Sequence, residues 1–328
     1  LSYLIDHNLL SHVPKTKDLA SWIELAPGVV PENPPFDLNF SVNGSSVRSN
    51  ILTISGNEAN DSLSRIPISL INVDWIEEIE IENAGHPVEN YSSEGAFIKL
   101  ITKSGSNQSS GQLDFFATGG KLSHSLWSQS ERDRMANIPA IEDKYYLDFS
   151  LGLQGAIMPD RVWYFTNFRY YRRSQNTPFS PWRDPSHIPY PMYSWKAGDF
   201  KSLFRVSSQV TSEIQASLLL SFNKNKQNVD PSFISPFNPQ IATLDIHGQN
   251  LFMLNAFGSY RLNQETFLNL FFFYTKTDLP RHLYYKGENN PRYLDLGSGY
   301  AWGSGPFNDE TTGGIFRAGI SATRYQTF

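Results

Sequence analysis

From about residue 109 to the end of the chain, apolar and polar residues alternate with a period of two in one segment after another. This is the period of a β-strand with one face in an apolar environment and the other in a polar one. Most segments are about 10–14 residues long, whereas strands of globular proteins average roughly five or six and tilted membrane-crossing strands need about 9–11. The pattern predicts eight strands, at 112–118, 145–154, 162–173, 200–210, 214–223, 252–262, 267–276 and 316–323.

The connections between these strands alternate strictly between short and long. Residues 158–161, 211–213 and 263–265 form short turns, whereas the long connections are 119–143, 174–198, 224–248 and 277–313. Outer-membrane barrels have tight periplasmic turns and longer extracellular loops. The pattern therefore predicts that the first strand runs outward, that long loops follow the odd-numbered strands, and that the preceding residues lie on the periplasmic side.

The first third of the chain has mixed helix and strand signals. Apolar residues at helical spacing between Leu19 and Ala26 predict a helix that stops at Pro27-Gly28, a strong breaker pair. Asn43-Gly44 and Ser104-Gly105 are turn signals. Together these features predict a small α+β domain over residues 1–108, followed by a second unit over 109–328. The predicted strands of the first unit are 38–42, 51–54, 76–82, as an edge or solvent-facing strand, and 97–102.

Composition narrows the class of protein. The 328 residues carry a net charge of −5, contain no cysteine and are 18% charged and 14% aromatic, with a mean hydropathy of −0.38. Few charges and many aromatic residues suit a membrane β-barrel, although composition alone would favour a secreted all-β protein. No run approaches the roughly 18–20 apolar residues of a transmembrane helix. The absence of cysteine excludes a disulfide scaffold, and no basic stripe indicates nucleic-acid binding.

Catalytic and cofactor chemistry find no support in the sequence. The seven histidines are scattered, and no pair has the spacing of metal ligands on a helix face. The glycine-serine stretches at 297–299 and 303–305 lack the strand-turn-helix context of a nucleophile elbow. We therefore expect no enzyme activity, no metal site and no cofactor.

Five sequence motifs occur in a fixed order before the alternating segments. Residues 26–29 read Ala-Pro-Gly-Val, and residues 41–44 read Ser-Val-Asn-Gly. An acidic strand occupies 74–81, and residues 85–91 read Gly-His-Pro-Val-Glu-Asn-Tyr. Residues 95–107 read Gly-Ala-Phe-Ile-Lys-Leu-Ile-Thr-Lys-Ser-Gly-Ser-Asn, just before the first long strand.

These motifs resemble the plug domain of TonB-dependent receptors, especially of the Oar-like subgroup. The resemblance implies a plug domain over 1–108 and the N-terminal portion of an outer-membrane β-barrel over 109–328. Ser55-Gly56 stands where many relatives have Asp-Gly, and Gly95-Ala96 replaces a Gly-Gly pair, which indicates a divergent member. No TonB box is recognisable before Leu19.

The expected fold is therefore a small α+β plug followed by antiparallel transmembrane barrel strands, about 8 of about 22. A barrel that holds a folded plug needs about 22 strands, which at the observed density would take on the order of 600 residues. The alternation also lapses at Arg324 and Gln326, so we expect the natural sequence to continue past Phe328.

The family resemblance implies a receptor of the Gram-negative outer membrane. It would bind a substrate at its extracellular loops and admit it through the plugged barrel when the periplasmic TonB complex pulls on the plug. Its partners would be TonB, outer-membrane lipid and an extracellular substrate that the sequence does not identify, with no nucleic acid. Two alternatives remain: a non-transporting adhesin or export and assembly protein of the same architecture, and a soluble secreted β-sandwich that binds carbohydrate.

Two groups of residues are candidates for binding. Aromatic residues in the long loops could gather a ligand, or form an aromatic girdle at the membrane boundary. Charged residues predicted to face the lumen could pair with Glu78, Glu80 and Glu82 of the plug, or contact an anionic substrate. The aromatic candidates are Trp182, Tyr190, Tyr193, Trp195, Tyr284, Tyr285, Tyr300 and Trp302, and the lumen-facing charges are Arg169, Arg173, Lys201, Arg205, Arg261 and Arg317.

Overall fold

The computed structural model shows two main β-sheets, one built from each part of the chain. It describes residues 2–6, 9–10, 19–31, 40–60, 71–83, 95–120, 142–178, 192–227, 245–283, 293–294, 301–302 and 309–324. The first part forms a five-stranded sheet, called the small sheet, and the second part forms an eight-stranded sheet, called the large sheet.

The large sheet is an antiparallel meander in which every strand pairs with its neighbours along the described chain. Its eight strands are the eight predicted from alternation, and that part of the prediction is confirmed. Within the described residues, the strands Ser110–Gly119 and Asp309–Arg324 occupy its two edges. The strands are β8 (Ser110–Gly119), β9 (Glu142–Met158), β10 (Val162–Pro178), β11 (Met192–Gln209), β12 (Ile214–Gln227), β13 (Asp245–Arg261), β14 (Thr266–Leu283) and β17 (Asp309–Arg324).

All eight strands are longer than predicted, and the seven from β9 onward have 14 to 18 residues each. Most of the added length lies at the ends next to the long connections, whereas the short turns stay close to their predicted places. For example, β12 continues beyond its predicted end at Asn223 through Lys224, Asn225, Lys226 and Gln227. The predicted long loops are correspondingly shorter, and β15 (Tyr293–Leu294) pairs with β16 (Ala301–Trp302) within the last of them.

The two faces of the large sheet differ in chemistry. We call the face towards the small sheet the inner face and the opposite one the outer face. Along β10, Asn167 and Arg169 are buried on the inner face, whereas Phe168 and Tyr170 are 44% and 48% exposed on the outer face. The same alternation recurs along β9, β11 and β12. This distribution reverses that of a water-soluble sheet, because large apolar side chains are exposed and polar ones are buried.

The strands of the small sheet are β1 (Ser2–Ile5), β4 (Ile51–Ile54), β5 (Asn57–Glu58), β6 (Ile76–Glu82) and β7 (Phe97–Thr102). Their order in the sheet is β1-β6-β7-β4-β5, and only the β4–β7 pairing is parallel. The predicted bounds of β4, β6 and β7 are confirmed. However, β6 lies inside the sheet because β1, which was not predicted, pairs along its outer side. The edge position predicted for β6 is therefore wrong, whereas its acidic residues are exposed or partly exposed, in line with the alternative of a solvent-facing strand.

The core of the first part lies between the small sheet and a short helix. Helix α1 (Leu19–Ile23) buries Leu19, Trp22 and Ile23. It ends at Ile23, earlier than the predicted stop at Pro27-Gly28, because residues 24–28 form a turn. The hairpin of β2 (Val29–Pro31) and β3 (Phe40–Val42) follows it. These side chains pack in one apolar cluster with the isoleucines of β6.

The two glycine-containing turns of the first part require left-handed backbone. Asn43 and Gly44 have φ values of 51° and 80°, and Ser55 and Gly56 have 47° and 85°. Two successive positive φ values define a type I′ turn, for which Asn-Gly is a preferred pair. Ser55 is less suited to this conformation, although its hydroxyl lies 3.0 Å from the Thr102 hydroxyl.

Lys99 on β7 links two carboxylates of the neighbouring strand β6. Its Nζ lies 2.5 Å from Glu82 Oε1 and 3.2 Å from Glu80 Oε2. Burial alone would lower the pKa of Lys99, but hydrogen bonds to Glu82 and Glu80 and the charges of both carboxylates outweigh burial and raise the pKa. Because the pKa of Lys99 is raised in the folded state, its ion pairs with Glu80 and Glu82 stabilise the fold at neutral pH. This stabilisation is lost as the pH rises through the folded-state pKa of Lys99.

Candidate functional site

The small sheet meets the inner face of the large sheet through hydrogen-bonded polar side chains and through buried apolar residues such as Phe165 and Phe273. The contact begins at the 3-10 turn Val73–Trp75, which precedes β6. Asn167 of β10 accepts hydrogen bonds from Asn72 Nδ2 at 2.8 Å and from Trp75 Nε1 at 3.0 Å. These three side chains are at most 2% exposed. Asn167 therefore satisfies two buried donors of the small sheet at once.

The same network continues along the inner face through a serine. Asn167 Nδ2 donates to Ser150 Oγ of β9 at 3.2 Å, and Ser150 Oγ donates to Asp74 Oδ2 at 2.7 Å. Asp74 Oδ2 also lies 3.4 Å from Asn72 Nδ2. Buried polar groups are costly when they lack partners, so this closed ring of hydrogen bonds favours one position of the small sheet against the inner face of the large sheet.

A buried ion pair lies next to this network. Arg169 donates from Nε to Asp148 Oδ1 at 3.0 Å and from Nη2 to Asp148 Oδ2 at 2.7 Å, and both side chains are about 5% exposed. The remaining nitrogen, Nη1, donates to Asn72 Oδ1 at 3.3 Å. Tyr146 donates its hydroxyl hydrogen to the same carboxylate, and the guanidinium lies over the Tyr171 ring. Arg169 thus joins the inner face of the large sheet to the small sheet, while Asp148 of the large sheet compensates its charge.

Two further cations of β11 reach main-chain oxygens of the small-sheet region. Lys201 Nζ lies 3.3 Å from Asp199 Oδ2 and donates to the Ile71 carbonyl at 3.4 Å. Arg205 Nη1 donates to the Thr102 carbonyl at 2.5 Å and lies 2.7 Å from the Thr102 hydroxyl. Contacts to carbonyls do not depend on small-sheet side chains, so sequence motifs alone could not reveal them.

The opposite side of the small sheet is held by β13 and β17. Asn57 Nδ2 donates to Asn255 Oδ1 at 3.2 Å, and Asn255 Nδ2 donates to the Ile54 carbonyl at 3.3 Å. Arg317 Nη2 contacts Glu58 Oε2 at 2.5 Å. The hairpin of β4 and β5 is therefore attached to strands far from β9 and β10, so contacts to the large sheet lie on both sides of the small sheet.

The segment between the two sheets is attached to the β9–β10 turn. Asn107 Oδ1 accepts hydrogen bonds from Asp160 N at 2.9 Å and Trp163 Nε1 at 2.6 Å, and its Nδ2 donates to Asp160 Oδ1. Asp160 has a φ of 60°, so Asn107 supports a left-handed position of that turn. This gives a physical role to the Asn that ends the Thr-Lys-Ser-Gly-Ser-Asn motif.

A polar cavity of about 630 Å³ lies between this segment and the inner face of β8–β11. Its walls include Asp74, Arg205 and Asn167 from the network described above, together with Gln112 and Gln154. A cavity lined by both carboxylate and guanidinium groups can hold water or a polar solute. It lies beside the groups that attach the small sheet, so movement of that sheet would change its size.

Four of the six charged candidates contact the small sheet or the residues next to it: Arg169, Lys201, Arg205 and Arg317. Arg261 is exposed, with Nη2 3.5 Å from the Ser212 carbonyl, and Arg173 is half-buried near the other end of β10. The suggested acidic partners differ from those observed, because Glu80 and Glu82 bind Lys99, while Arg317 binds Glu58.

The aromatic candidates lie mostly in the long connections. Tyr193 and Trp195 are instead strand residues of β11, paired with Thr177 and Gln175, and their assignment to a loop is wrong. Trp302 likewise belongs to β16. The reason is that the β10–β11 ladder continues after its apolar alternation has ended. The other candidates, Trp182, Tyr190, Tyr284, Tyr285 and Tyr300, lie outside the described residues.

The uncharged members of the contact, such as Asn72, Ser150, Asn167 and Asn255, are not among the candidates predicted from the sequence. A signal for three of them is present in the sequence, since Ser150, Asn167 and Asn255 stand at the polar positions of alternating strands.

Reversing the Glu58–Arg317 pair should test this side of the contact. We expect Glu58→Arg to weaken retention of the small sheet by about 1 kcal/mol, because it places like charges together on a partly exposed pair. The double variant Glu58→Arg/Arg317→Glu should restore it. Protection of the first hundred residues from protease measures retention, and equal protease sensitivity of the single and double variants would contradict the pairing.

The outer face has a regular arrangement of aromatic residues that only the strand register reveals. Tyr170 pairs with Phe200, Phe222 with Phe252, and Tyr274 with Phe316. Phe200 faces Lys224, which lies two residues closer to the long connection than Phe222 does, and Phe252 likewise faces Lys276, two residues closer than Tyr274. Each pair is therefore displaced by two residues away from the long connections relative to the preceding pair. With about 3.4 Å per residue and about 4.8 Å between strands, this line is inclined by about 35° to the cross-strand direction.

Comparison with known proteins gives a partial sequence relative and several structural ones. No family model matches the chain. It is 29% identical over 154 residues to the TonB-dependent transporter Oar of Myxococcus xanthus, which covers 47% of this chain and 14% of Oar. The described residues include no helix long and apolar enough to cross a membrane.

Three solved structures share the fold. The siderophore receptor PirA from Acinetobacter baumannii has a TM-score of 0.64 at 13% identity, over 95% of this chain and 43% of PirA. A ferric enterobactin receptor (PfeA) mutant from Pseudomonas aeruginosa has 0.64 at 13%, over 97% and 44%. The outer membrane transporter YddB from Escherichia coli has 0.62 at 12%, over 97% and 44%.

The chain thus spans less than half the length of these solved receptors. All four relatives are named as transporters or receptors and none as an enzyme. The similarity to Oar in sequence, and to outer-membrane receptors in fold, confirms the resemblance of this chain to TonB-dependent receptors.

Proposed function

We propose that the large sheet is part of a transmembrane β-barrel of the Gram-negative outer membrane and that the small sheet belongs to its plug. The plug would comprise residues 1–108, and residues 109–328 would supply about 8 of about 22 barrel strands. A substrate would bind at the extracellular loops, and the TonB complex would act on the plug from the periplasm to open a path through the barrel.

The observation that carries this proposal is the reversed burial of the large sheet. Outer-face side chains such as Phe168, Leu218 and Phe316 are 39–66% exposed, while inner-face polar side chains such as Asn167 and Arg169 are buried next to the small sheet. Water disfavours such an outer face, and lipid favours it. The inclined aromatic line supports the same arrangement, because barrel strands are tilted by about 35–45° and a membrane boundary would cross them at that angle.

The contacts around the small sheet support the role of a retained but releasable plug. They include hydrogen bonds and ion pairs from Arg169, Asn167, Lys201, Asn255 and Arg317, beside buried apolar residues of the same inner face. Polar contacts lose less than apolar ones when water enters between the surfaces, since water can replace each partner. A force applied to the plug could therefore separate it stepwise as water fills the polar cavity.

Cysteine labelling tests the membrane assignment directly, because the chain has no native cysteine. Leu218→Cys and Phe222→Cys place a thiol on the outer face of β12, whereas the neighbouring Leu219→Cys and Asn223→Cys place one on the inner face. A bilayer-confined maleimide should label the first pair at least about tenfold faster than the second. Equal labelling of both pairs, or absence of the protein from the outer-membrane fraction, would refute a barrel.

Transport is tested separately from architecture. A deletion strain should lose growth on one nutrient that wild-type cells take up, and the full-length gene should restore it. Lost attachment or export with unchanged uptake would instead favour the non-transporting alternative. The aromatic candidates of the loops should be changed to alanine in the same assay, since their role in substrate binding is part of the proposal.

A further inference from the structure

A group of exposed cations lies on the outer face of the large sheet, just beyond the aromatic line. It comprises Arg172 of β10, Lys196 of β11, and Lys224 and Lys226 of β12, and we call it the cationic patch. Each residue shares the outer face with the aromatic residues of its own strand, since all are separated from them by even numbers of positions. The patch lies at the end of the strands that leads to the long connections.

The strand register places these cations in adjacent cross-strand rows. Arg172 faces Gly198, which faces Lys226, which faces Gly248. The next row towards the aromatic line contains Tyr170, Phe200 and Lys224. Cations and glycines therefore alternate across β10–β13, directly beside aromatic rings.

Gly198 leaves an open notch between two cations. Strands are about 4.8 Å apart, so Arg172 and Lys226, two strands apart, have main chains separated by about 10 Å. A Cβ at Gly198 would meet nothing closer than the Tyr171 carbonyl at 3.8 Å and Arg172 Cγ at 3.9 Å. A tetrahedral phosphate can fit between two such side chains and accept hydrogen bonds from both.

The charge of the patch is not compensated by carboxylates within the described part of the chain. No ion pair joins any of its four members to an Asp or Glu there, whereas the nearby Lys276 lies 3.6 Å from Asp278. Asp199, beside Gly198, faces the inner side and pairs with Lys201. At the opposite end of the outer face, Arg324 pairs with Glu265.

We propose that the cationic patch binds the phosphate groups of an anionic lipid headgroup at the loop-side boundary of the membrane. This inference rests on the proposed barrel. A lipid fits better than a soluble anion, because a phosphate held at Gly198 would place its acyl chains along Tyr170, Phe200 and Phe222 of the apolar surface. Lysine and arginine near a membrane surface attract such headgroups by about fivefold in affinity per residue.

The test uses the full chain in neutral detergent micelles and a fluorescent bisphosphorylated glycolipid, lipid A, as the probe. The variant Arg172→Gln/Lys224→Gln/Lys226→Gln should bind it on the order of 100-fold more weakly than wild type. The control Arg161→Gln/Arg261→Gln/Arg324→Gln removes the same charge from exposed residues at the other end and should retain wild-type affinity. Equal loss in both variants would reduce the effect to net charge and overturn the proposal.

A second variant keeps the charge and fills the notch. Gly198→Val has room for its Cβ and suits a strand, so it should fold and still lower lipid affinity by about tenfold or more. Unchanged binding by this variant would overturn the notch as the phosphate position.

Two competitors separate the sources of binding. Dephosphorylated lipid A should bind weakly, and millimolar inorganic phosphate should not displace the probe. Equal binding of the dephosphorylated lipid, or displacement by inorganic phosphate, would overturn a lipid-phosphate site. Failure of the cysteine labelling would refute the barrel itself, whereas normal labelling with unchanged lipid binding in the triple variant would refute only the patch.

Discussion

Asp148→Asn should destabilise the protein by about 3–5 kcal/mol, because it leaves the guanidinium of Arg169 buried without a compensating charge. Both side chains are about 5% exposed, and two hydrogen bonds join them. The loss should extend to the small sheet, since Arg169 also donates to Asn72. Urea-induced unfolding followed by tryptophan fluorescence measures the effect, with Trp75 as a buried reporter near the site.

Two controls define the origin of that loss. Asp278→Asn removes a carboxylate from an exposed ion pair on β14, with side chains 50% and 36% exposed, and should cost at most about 1 kcal/mol. The double variant Asp148→Asn/Arg169→Gln removes the buried charge as well and should recover most of the stability. An effect of Asp148→Asn as small as that of Asp278→Asn would show that the pair is hydrated.

Gly105→Val should disrupt the segment that joins the two sheets. A Cβ at residue 105 would lie 2.6 Å from the main-chain nitrogen of Tyr164 and 2.8 Å from the carbonyl oxygen of Gly155, and closer still to the Tyr164 carbonyl. All three are backbone atoms of paired strands, which cannot move without breaking the β9–β10 ladder. We expect a loss of about 3 kcal/mol or more and new protease cleavage near residue 105, detected by mass spectrometry.

The matched control is Gly258→Val on β13. A Cβ there would meet only the Gln215 carbonyl at 3.9 Å, so the valine has room. This variant should fold with wild-type stability and show no new cleavage. If both valine variants behaved alike, the effect at Gly105 would reflect strand propensity and not close backbone approach.

The strands of the large sheet were predictable because their alternation records two different environments. Each of the eight predicted segments lies within or overlaps a strand. Their loop-side ends were not predictable in this way. From Asn223 to Gln227 every residue is polar, so no alternation marks the strand, yet its ladder to β13 continues. Backbone hydrogen bonds extend the strand there, and they do not depend on side-chain polarity.

The contacts of the small sheet were predictable only in part. The period-2 alternation of the sequence placed Arg169 and Lys201 on the polar face of their strands, but it could not identify their partners. Arg169 pairs with Asp148 of the neighbouring strand, and Lys201, besides pairing with Asp199 two residues before it, donates to the Ile71 carbonyl. Asp148 and Ile71 are close to these cations in space and distant in sequence, so no local pattern encodes them.

The sequence by itself determined the central parts of the eight large-sheet strands, where the tight turns between them fall, and which face of each strand is apolar, because these properties follow from residue order along a single strand. Only the tertiary structure decided the register of the strands. That register aligns the aromatic pairs, brings the residues of the cationic patch together, and places the hydrogen-bonding side chains of the inner face next to the small sheet. Register is a relation between strands, set by their mutual packing and hydrogen bonding, and a shift of one residue would exchange every inner side chain for an outer one.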